Sequence, residues 1–286
     1  MEFYQVDVFA DSPYAGNQLA VVPDAADLST EQMQAIASEM NLSETSFVMR
    51  ATGDSYDVRI FTPANEMPFA GHPTLGTAWL LLKLGAVKGK RIVQRLRAGE
   101  TAIELEGDVV WMERTGESGD DLEGPDPDID AVIADALRIP RGSVGLEARE
   151  LGRSGRLQPA VADAGLRQLM VPVKDVETLK ACQPSSDLPT DTIGAYCFTA
   201  TAAGRVAARG LWSDVGVSED PATGSAAAAL GIYLADRIGD IELEISQGVE
   251  INRPSRIYVR ATKGRVRVGG RCFLVMTGRL EELPTS

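Results

Sequence analysis

Two short stretches decide how this chain is read: Glu66-Met67-Pro68-Phe69-Ala70-Gly71 and Glu219-Asp220-Pro221-Ala222-Thr223-Gly224. The second lies 153 residues beyond the first, position for position, and both keep the pattern E-x-P-x-x-G. A shared hexapeptide is weak evidence alone, but its surroundings repeat too. Each copy runs straight into a strongly apolar segment, predicting helices over Thr74–Leu84 and Ala226–Ile238. Upstream, a strand expected at Ser46–Arg50 has its counterpart at Ala195–Thr199, again followed by a small turn and another strand. One local order met twice in a chain marks a duplicated unit.

The two helices also fix the architecture. Trp79, Leu80, Leu81, Leu82 and Leu84 point all round the first; Ala226–Leu230, Ile232, Tyr233 and Leu234 do the same in the second. A helix that is apolar on every side must be enclosed, most simply by strands of its own half. We therefore expect an α/β (α+β) chain of two pseudo-symmetric halves, each a curved, largely antiparallel sheet wrapped round one central helix. The N-terminal half is expected over 1–115, joined by the C-terminal strand of about 270–286, and the C-terminal half over 124–269. Between them Glu113–Asp128 (ERTGESGDDLEGPDPD) turns acidic and rich in Gly and Pro, as interdomain linkers do.

Elsewhere the punctuation is clear. Strands are expected at Phe3–Ala10 and Gln18–Val22. Ser29 and Gln32 form a capping box ahead of the apolar face Met33, Ile36, Ala37 and Met40, and Asn41 ends that helix. Gly53-Asp54 turns the chain into a strand at Tyr56–Phe61. Asp128 caps a helix carrying Ile129, Val132, Ile133, Ala136 and Leu137 on one side. From Ile257 to Leu280 strands alternate with turns expected at Lys263-Gly264 and Gly269-Gly270.

Composition narrows the function. The 286 residues carry a net charge of −13, which repels nucleic acid and anionic membranes, so neither is an expected partner. Cys182, Cys197 and Cys272 are widely spaced and His72 is the only histidine, so no zinc set and no metal is expected. Sparse cysteines and the absence of a signal-peptide pattern fit a cytoplasmic protein. GxGxxG, GxxxxGK[ST] and HExxH are all missing, and no cofactor is expected.

Each central helix starts at a glycine-containing turn, Ala70-Gly71-His72-Pro73-Thr74 and Ala222-Thr223-Gly224-Ser225. Exposed N–H groups and the positive end of the helix dipole make such a helix start an anion site. Two halves facing each other would aim both helix starts into one cleft, suited to a small carboxylate substrate and an enolate-like intermediate. Residues shared by both copies, Glu66 and Glu219, read as holding the turn; residues that differ are where chemistry enters. His72, which taken alone reads as a buried hydrogen-bonded histidine, stands opposite Ser225 in the other copy. Asp220 reads on its own as a local hydrogen-bonding residue ahead of its helix. Pairing Phe47 with Tyr196 sets Glu44 against Ile193: a carboxylate in one half, an aliphatic residue in the other. On pattern alone Glu44 is a surface-loop glutamate; the comparison of halves makes it a candidate general base, its pKa raised if apolar walls bury it.

These residues resemble the PhzF-like phenazine-biosynthesis family. Asn41-Leu42-Ser43-Glu44-Thr45 is similar to the segment with its catalytic glutamate, and Glu66–Thr77 (EMPFAGHPTLGT) and Glu219–Ala227 (EDPATGSAA) to its two signature segments. The likeness runs from Asp7–Val22 to Gln247–Ser255 and Gly278. It implies a diaminopimelate-epimerase-like fold and a homodimer, with Glu44 as proton shuttle assisted by His72 and Asp220. It also implies ligand contacts from Ser43, Gly71, Gly224 and Ser225. Gln18 departs from the family's usual proline and Asn252 from its usual glycine. Related epimerases carry cysteines at the helix starts; here His72 and Ser225 stand there, which argues against a two-thiol racemase. The expected activity is thus a cofactor-independent isomerase moving a proton between carbons of a small carboxylate. An amino-acid epimerase on the same fold and a catalytically silent small-molecule binder are the alternatives.

Overall fold

The computed structural model describes residues 1–122, 128–212 and 219–285. Two compact units emerge, one of Met1–Glu113 with Gly269–Ser286 and one of Arg114–Val268.

In the first unit the chain forms β1 (Glu2–Val8), β2 (Asn17–Val22), α1 (Thr30–Met40), β3 (Glu44–Thr52), β4 (Ser55–Phe61), β5 (Glu66–Met67), α2 (Gly71–Leu84), β6 (Arg91–Leu96), β7 (Gly99–Glu106) and β8 (Val109–Thr115). β1 and β2 pair antiparallel, β2 and β3 parallel, β3 and β4 antiparallel, β4 and β6 parallel, and β6 and β7 antiparallel. Short β5 pairs with the end of β4. The C-terminal strand Cys272–Arg279 adds to the other side of β1, returning the chain's end to this unit.

In the second unit follow β9 (Glu117–Asp121), α3 (Ile129–Ala136), the small pair β10 (Leu146–Glu147) and β11 (Arg156–Leu157), β12 (Ala160–Asp163), β13 (Arg167–Pro172), α4 (Val176–Ala181), β14 (Gly194–Ala202), β15 (Arg205–Trp212), β16 (Glu219–Asp220), α5 (Gly224–Ile238), β17 (Ile241–Gln247), β18 (Ser255–Thr262) and β19 (Arg265–Gly270). Here β12 and β13 pair antiparallel, β13 and β14 parallel, β14 and β15 antiparallel, β15 and β17 parallel, and β17 and β18 antiparallel. Short β16 pairs with β15. Strand for strand this is the alternation of the first unit, with the central helix inserted at the same place.

Each central helix is enclosed by its own unit. α2 packs on β1, β2, β3 and β6, and α5 on β9, β12, β13, β17 and β18. Residues 226–235 of α5 are all buried, whereas the last turn of α2 emerges, leaving Leu84 exposed. Close packing explains the glycines within these helices. A Cβ at Gly76 would lie 2.6 Å from Val8 Cγ2, and one at Gly231 would lie 2.7 Å from Val259 Cγ1; both contacts are too close for a side chain.

The opposite sheet faces are covered by the smaller helices. α1 buries Met33, Ile36 and Ala37 against Val22, Phe47 and Phe61, and the last two rings meet edge to face at 5.5 Å. Each such ring contributes about 1.5–3 kcal/mol by leaving water. Ser29 and Gln32 close the capping box, and Asn41 takes the left-handed conformation that ends α1. α3 and α4 cover the second sheet through Ile133, Leu137 and Leu179.

Three readings of the sequence are corrected. The stretch Glu113–Asp128 is not simply a linker: β8 runs into it and β9 occupies Glu117–Asp121, paired with β12, while residues 123–127 lie outside the described residues. The central helices begin at Gly71 and Gly224, ahead of the expected Thr74 and Ala226, because Pro73 and Ser225 fall in the first turn, where no N–H has an intrahelical partner to lose. Gly269-Gly270 closes β19 rather than forming a turn, because tight packing against Trp111 and Phe9 requires glycine there.

Candidate active site

Glu44 opens β3 and stands opposite Leu19 in the parallel register with β2. Inward-facing positions alternate along a strand: Phe47 faces α1, so Glu44, Ser46 and Val48 face α2. His72 is the second residue of α2, and its Nε2 lies 3.4 Å from Oε2 of Glu44. Both side chains are withdrawn from water, at 6% exposure for His72 and 17% for Glu44. Burial holds the imidazole pKa down at about 3, against a smaller opposing pull from the Gln18 backbone carbonyl, which accepts from the ring. His72 is therefore neutral across the physiological range, and its approach to Glu44 is not an ion pair. With one ring nitrogen donating to Gln18, Nε2 presents a lone pair toward Glu44 and makes no aligned hydrogen bond of its own. An acceptor placed beside a carboxyl group can take a hydrogen bond from that group when it is protonated, or from a substrate hydroxyl.

Ser43 immediately precedes β3, half-buried, and Gly71 is the buried first residue of α2. Ala70, the N-cap of α2, makes no side-chain cap hydrogen bond, and neither does Thr223 at the start of α5. The N-termini of α2 and α5 thus keep backbone N–H groups available to an anion.

In the second unit Gly224 and Ser225 are the first two residues of α5, so Ser225 takes the place that His72 holds in α2. Asp220 ends β16, and its Oδ2 accepts a 2.7 Å hydrogen bond from Thr223 Oγ1. Gln247, fully buried, governs this turn. Its Nε2 donates to the Asp220 carbonyl at 2.8 Å and to Thr223 Oγ1 at 3.0 Å. Its Oε1 accepts from Tyr196 Oη at 2.9 Å and from Thr223 N at 3.3 Å. Because the amide fills the Thr223 acceptor site, the hydroxyl proton is directed to Asp220. Ile193, set against Glu44 by the repeat, directly precedes β14 and is 38% exposed.

The structure thus joins Glu44 to His72 within one unit, and Asp220, Gly224 and Ser225 within the other. Sequence reasoning missed the roles of Thr223 and Gln247. For Gln247 a signal existed: in Ile241–Gln247 (IELEISQ) the alternation Ile241, Leu243, Ile245 turns Gln247 inward. Gln18, read only as a departure, supplies the carbonyl beside His72, a contact any residue's backbone can make. Among the described residues no three His, Cys, Asp or Glu side chains gather as a metal-ligand set, and no helix is long and apolar enough to cross a membrane. The three cysteines are buried and unlinked, none at the start of a central helix.

Against known proteins, the chain matches the family model described as phenazine biosynthesis-like protein over residues 6–278. It is 40% identical over 269 residues to a trans-2,3-dihydro-3-hydroxyanthranilate isomerase of Pseudomonas chlororaphis, covering 90% of this chain and 88% of that protein. Its fold is similar to a phenazine biosynthesis protein of the PhzF family from Bacillus anthracis, with a TM-score of 0.81 and 24% identity over 97% of this chain and 98% of the other. A predicted epimerase from Pseudomonas aeruginosa is similar at a TM-score of 0.78 and 31% identity, over 98% and 99% of the two chains.

Proposed function

The chain belongs to the phenazine biosynthesis-like (PhzC-PhzF) family, and on that footing we propose that it moves a proton between carbons of a small carboxylate by acid–base catalysis at Glu44. That it is an isomerase rests on the activity named for its 40% identical relatives. The observation that carries the finer reading is the pairing of Glu44 with a neutral His72 at 3.4 Å, at the start of a buried helix. Glu44 takes a proton from one substrate carbon and returns it to another. His72 orients the carboxyl, its neutral Nε2 accepting a hydrogen bond from the protonated carboxyl or from a substrate hydroxyl. Uncapped helix N–H groups at Gly71 and Gly224 receive negative charge on the substrate, which grows more valuable as the carbanion delocalises. Asp220, held by Thr223, assists. Nothing in this sequence of steps calls on a cofactor.

The substrate proposed is trans-2,3-dihydro-3-hydroxyanthranilate or a close structural relative, by analogy with those isomerases. The test is to incubate the protein with that compound in heavy water and follow product and deuterium by NMR. Isomerisation with deuterium at the new C–H position is the expected result. Absence of both exchange and product, with the compound bound, would overturn the proton-transfer reading. Inversion of one stereocentre without a shift of the double bonds would instead make it an epimerase.

A further inference from the structure

The inner face of β13 carries a side chain that the chemistry above does not use. Leu169 and Val171 turn outward into the core shared with α3 and α4. Strand alternation therefore turns Gln168 toward α5, where it is fully buried. Its Nε2 donates to Ser225 Oγ at 3.2 Å. Ser225 is the second residue of a 15-residue helix with no side-chain cap. Oε1 of the same amide is buried and has no hydrogen-bond partner among the described residues. A buried acceptor in that state is costly and calls for a donor.

Two consequences follow from hydrogen-bond polarity. Ser225 Oγ accepts from Gln168, so its single proton is available to another acceptor. At a helix N-terminus that acceptor is best an anionic oxygen. Oε1, beside it in the same planar amide, complements an N–H. We propose that Gln168 and Ser225 together read a carboxylate with an amino group on the neighbouring carbon, making Gln168 the residue that selects amino-carboxylates. The inference rests on the reading of Ser225 as a substrate contact and adds the substrate feature that the second unit recognises.

Anthranilate and benzoate differ only in the amino group, and titration calorimetry of the full chain with each reads the preference directly. Wild type should bind anthranilate about tenfold more tightly or better, since a site built around a donor rejects the analogue that lacks it. Gln168→Leu should bring the two affinities to within about twofold by weakening anthranilate alone. Gln168→Glu keeps the shape and an acceptor but draws the Ser225 proton to itself, so both ligands should weaken while anthranilate remains preferred. Equal binding of the two ligands by wild type, binding of neither, or loss of preference in Gln168→Glu would overturn the proposal. So would a folded Gln168→Leu protein that retains the preference. Because binding needs no turnover, an active isomerase without amine preference defeats this inference alone. A clear preference without deuterium exchange defeats only the proton-transfer reading.

Discussion

Arg209 grips Glu219 through two parallel hydrogen bonds, Nε to Oε1 at 2.9 Å and Nη2 to Oε2 at 2.6 Å. Arg59 holds Glu66 in the same way at 2.8 and 2.7 Å. The glutamate that opens each copy of the repeated motif is therefore tied down by an arginine on the adjacent strand, and is occupied in holding the turn. The second grip is also deeper. Arg209 Nη1 donates to the carbonyls of Leu179, Lys180 and Cys182, closing the end of α4.

This difference in depth sets a stability prediction. Side-chain exposures are 8% and 9% for Arg209 and Glu219, against 16% and 22% for Arg59 and Glu66. Removing one partner of a buried pair costs about 3–5 kcal/mol, so Arg209→Ala should lose that much in urea unfolding. Arg59→Ala should lose clearly less. Equal losses would mean that burial does not govern these pairs.

Glu44→Gln keeps the shape of the side chain and removes the base. Turnover and deuterium exchange should fall by ~10²–10⁴-fold, the usual contribution of general acid–base catalysis. Substrate binding, measured by calorimetry, should change far less. Unchanged exchange would place the base elsewhere and make Asp220 the next carboxylate to test.

His72 makes folding sensitive to acid. In the unfolded chain it titrates near 6.5, in the folded protein at about 3. Between those values the unfolded chain binds a proton that the folded protein does not. The stabilisation is thus whole above pH 6.5 and is lost progressively as pH falls toward 3. From about pH 7.5 to about pH 5, wild type should lose on the order of 2 kcal/mol more than His72→Asn, read from urea midpoints at each pH. Parallel losses in the two proteins would show that the histidine is not held neutral by burial.

Thr223 directs its only hydroxyl proton to Asp220. Thr223→Val should lower turnover with the fold intact, whereas Thr223→Ser, which keeps the hydroxyl, should restore most of it. A fully active Thr223→Val enzyme would remove Asp220's hydrogen bond from the account of catalysis.

The three thiols are all buried. Native protein should therefore react negligibly with a thiol reagent such as DTNB, and unfolding in guanidinium should release three equivalents. A fast-reacting thiol in the native protein, with loss of turnover, would reopen a cysteine mechanism.

Elements that rest on local chemistry and on repetition are legible in the letters of the chain. The capping box at Ser29, the left-handed stop at Asn41 and the two enclosed helices follow from hydrogen-bonding groups and apolar pattern within a few residues. The motif copies at Glu66 and Glu219, 153 residues apart, reveal the duplication together with the strands and apolar helices that flank each of them. Singling out Glu44, His72 and Ser225 needs only a comparison of one copy with the other. Contacts between residues far apart in the chain wait for the fold. Gln18 reaches His72 because parallel pairing of β2 and β3 lays that strand beside Glu44 and the start of α2. Gln168 meets Ser225 across 57 residues, and Arg209 meets the end of α4 across about 30. The neutrality of His72 is equally out of reach, since nothing in the letters around it says how completely the fold excludes water from the ring. A carboxylate or an imidazole can be named from sequence, but its protonation is fixed by the groups and the water that folding brings near it or takes away.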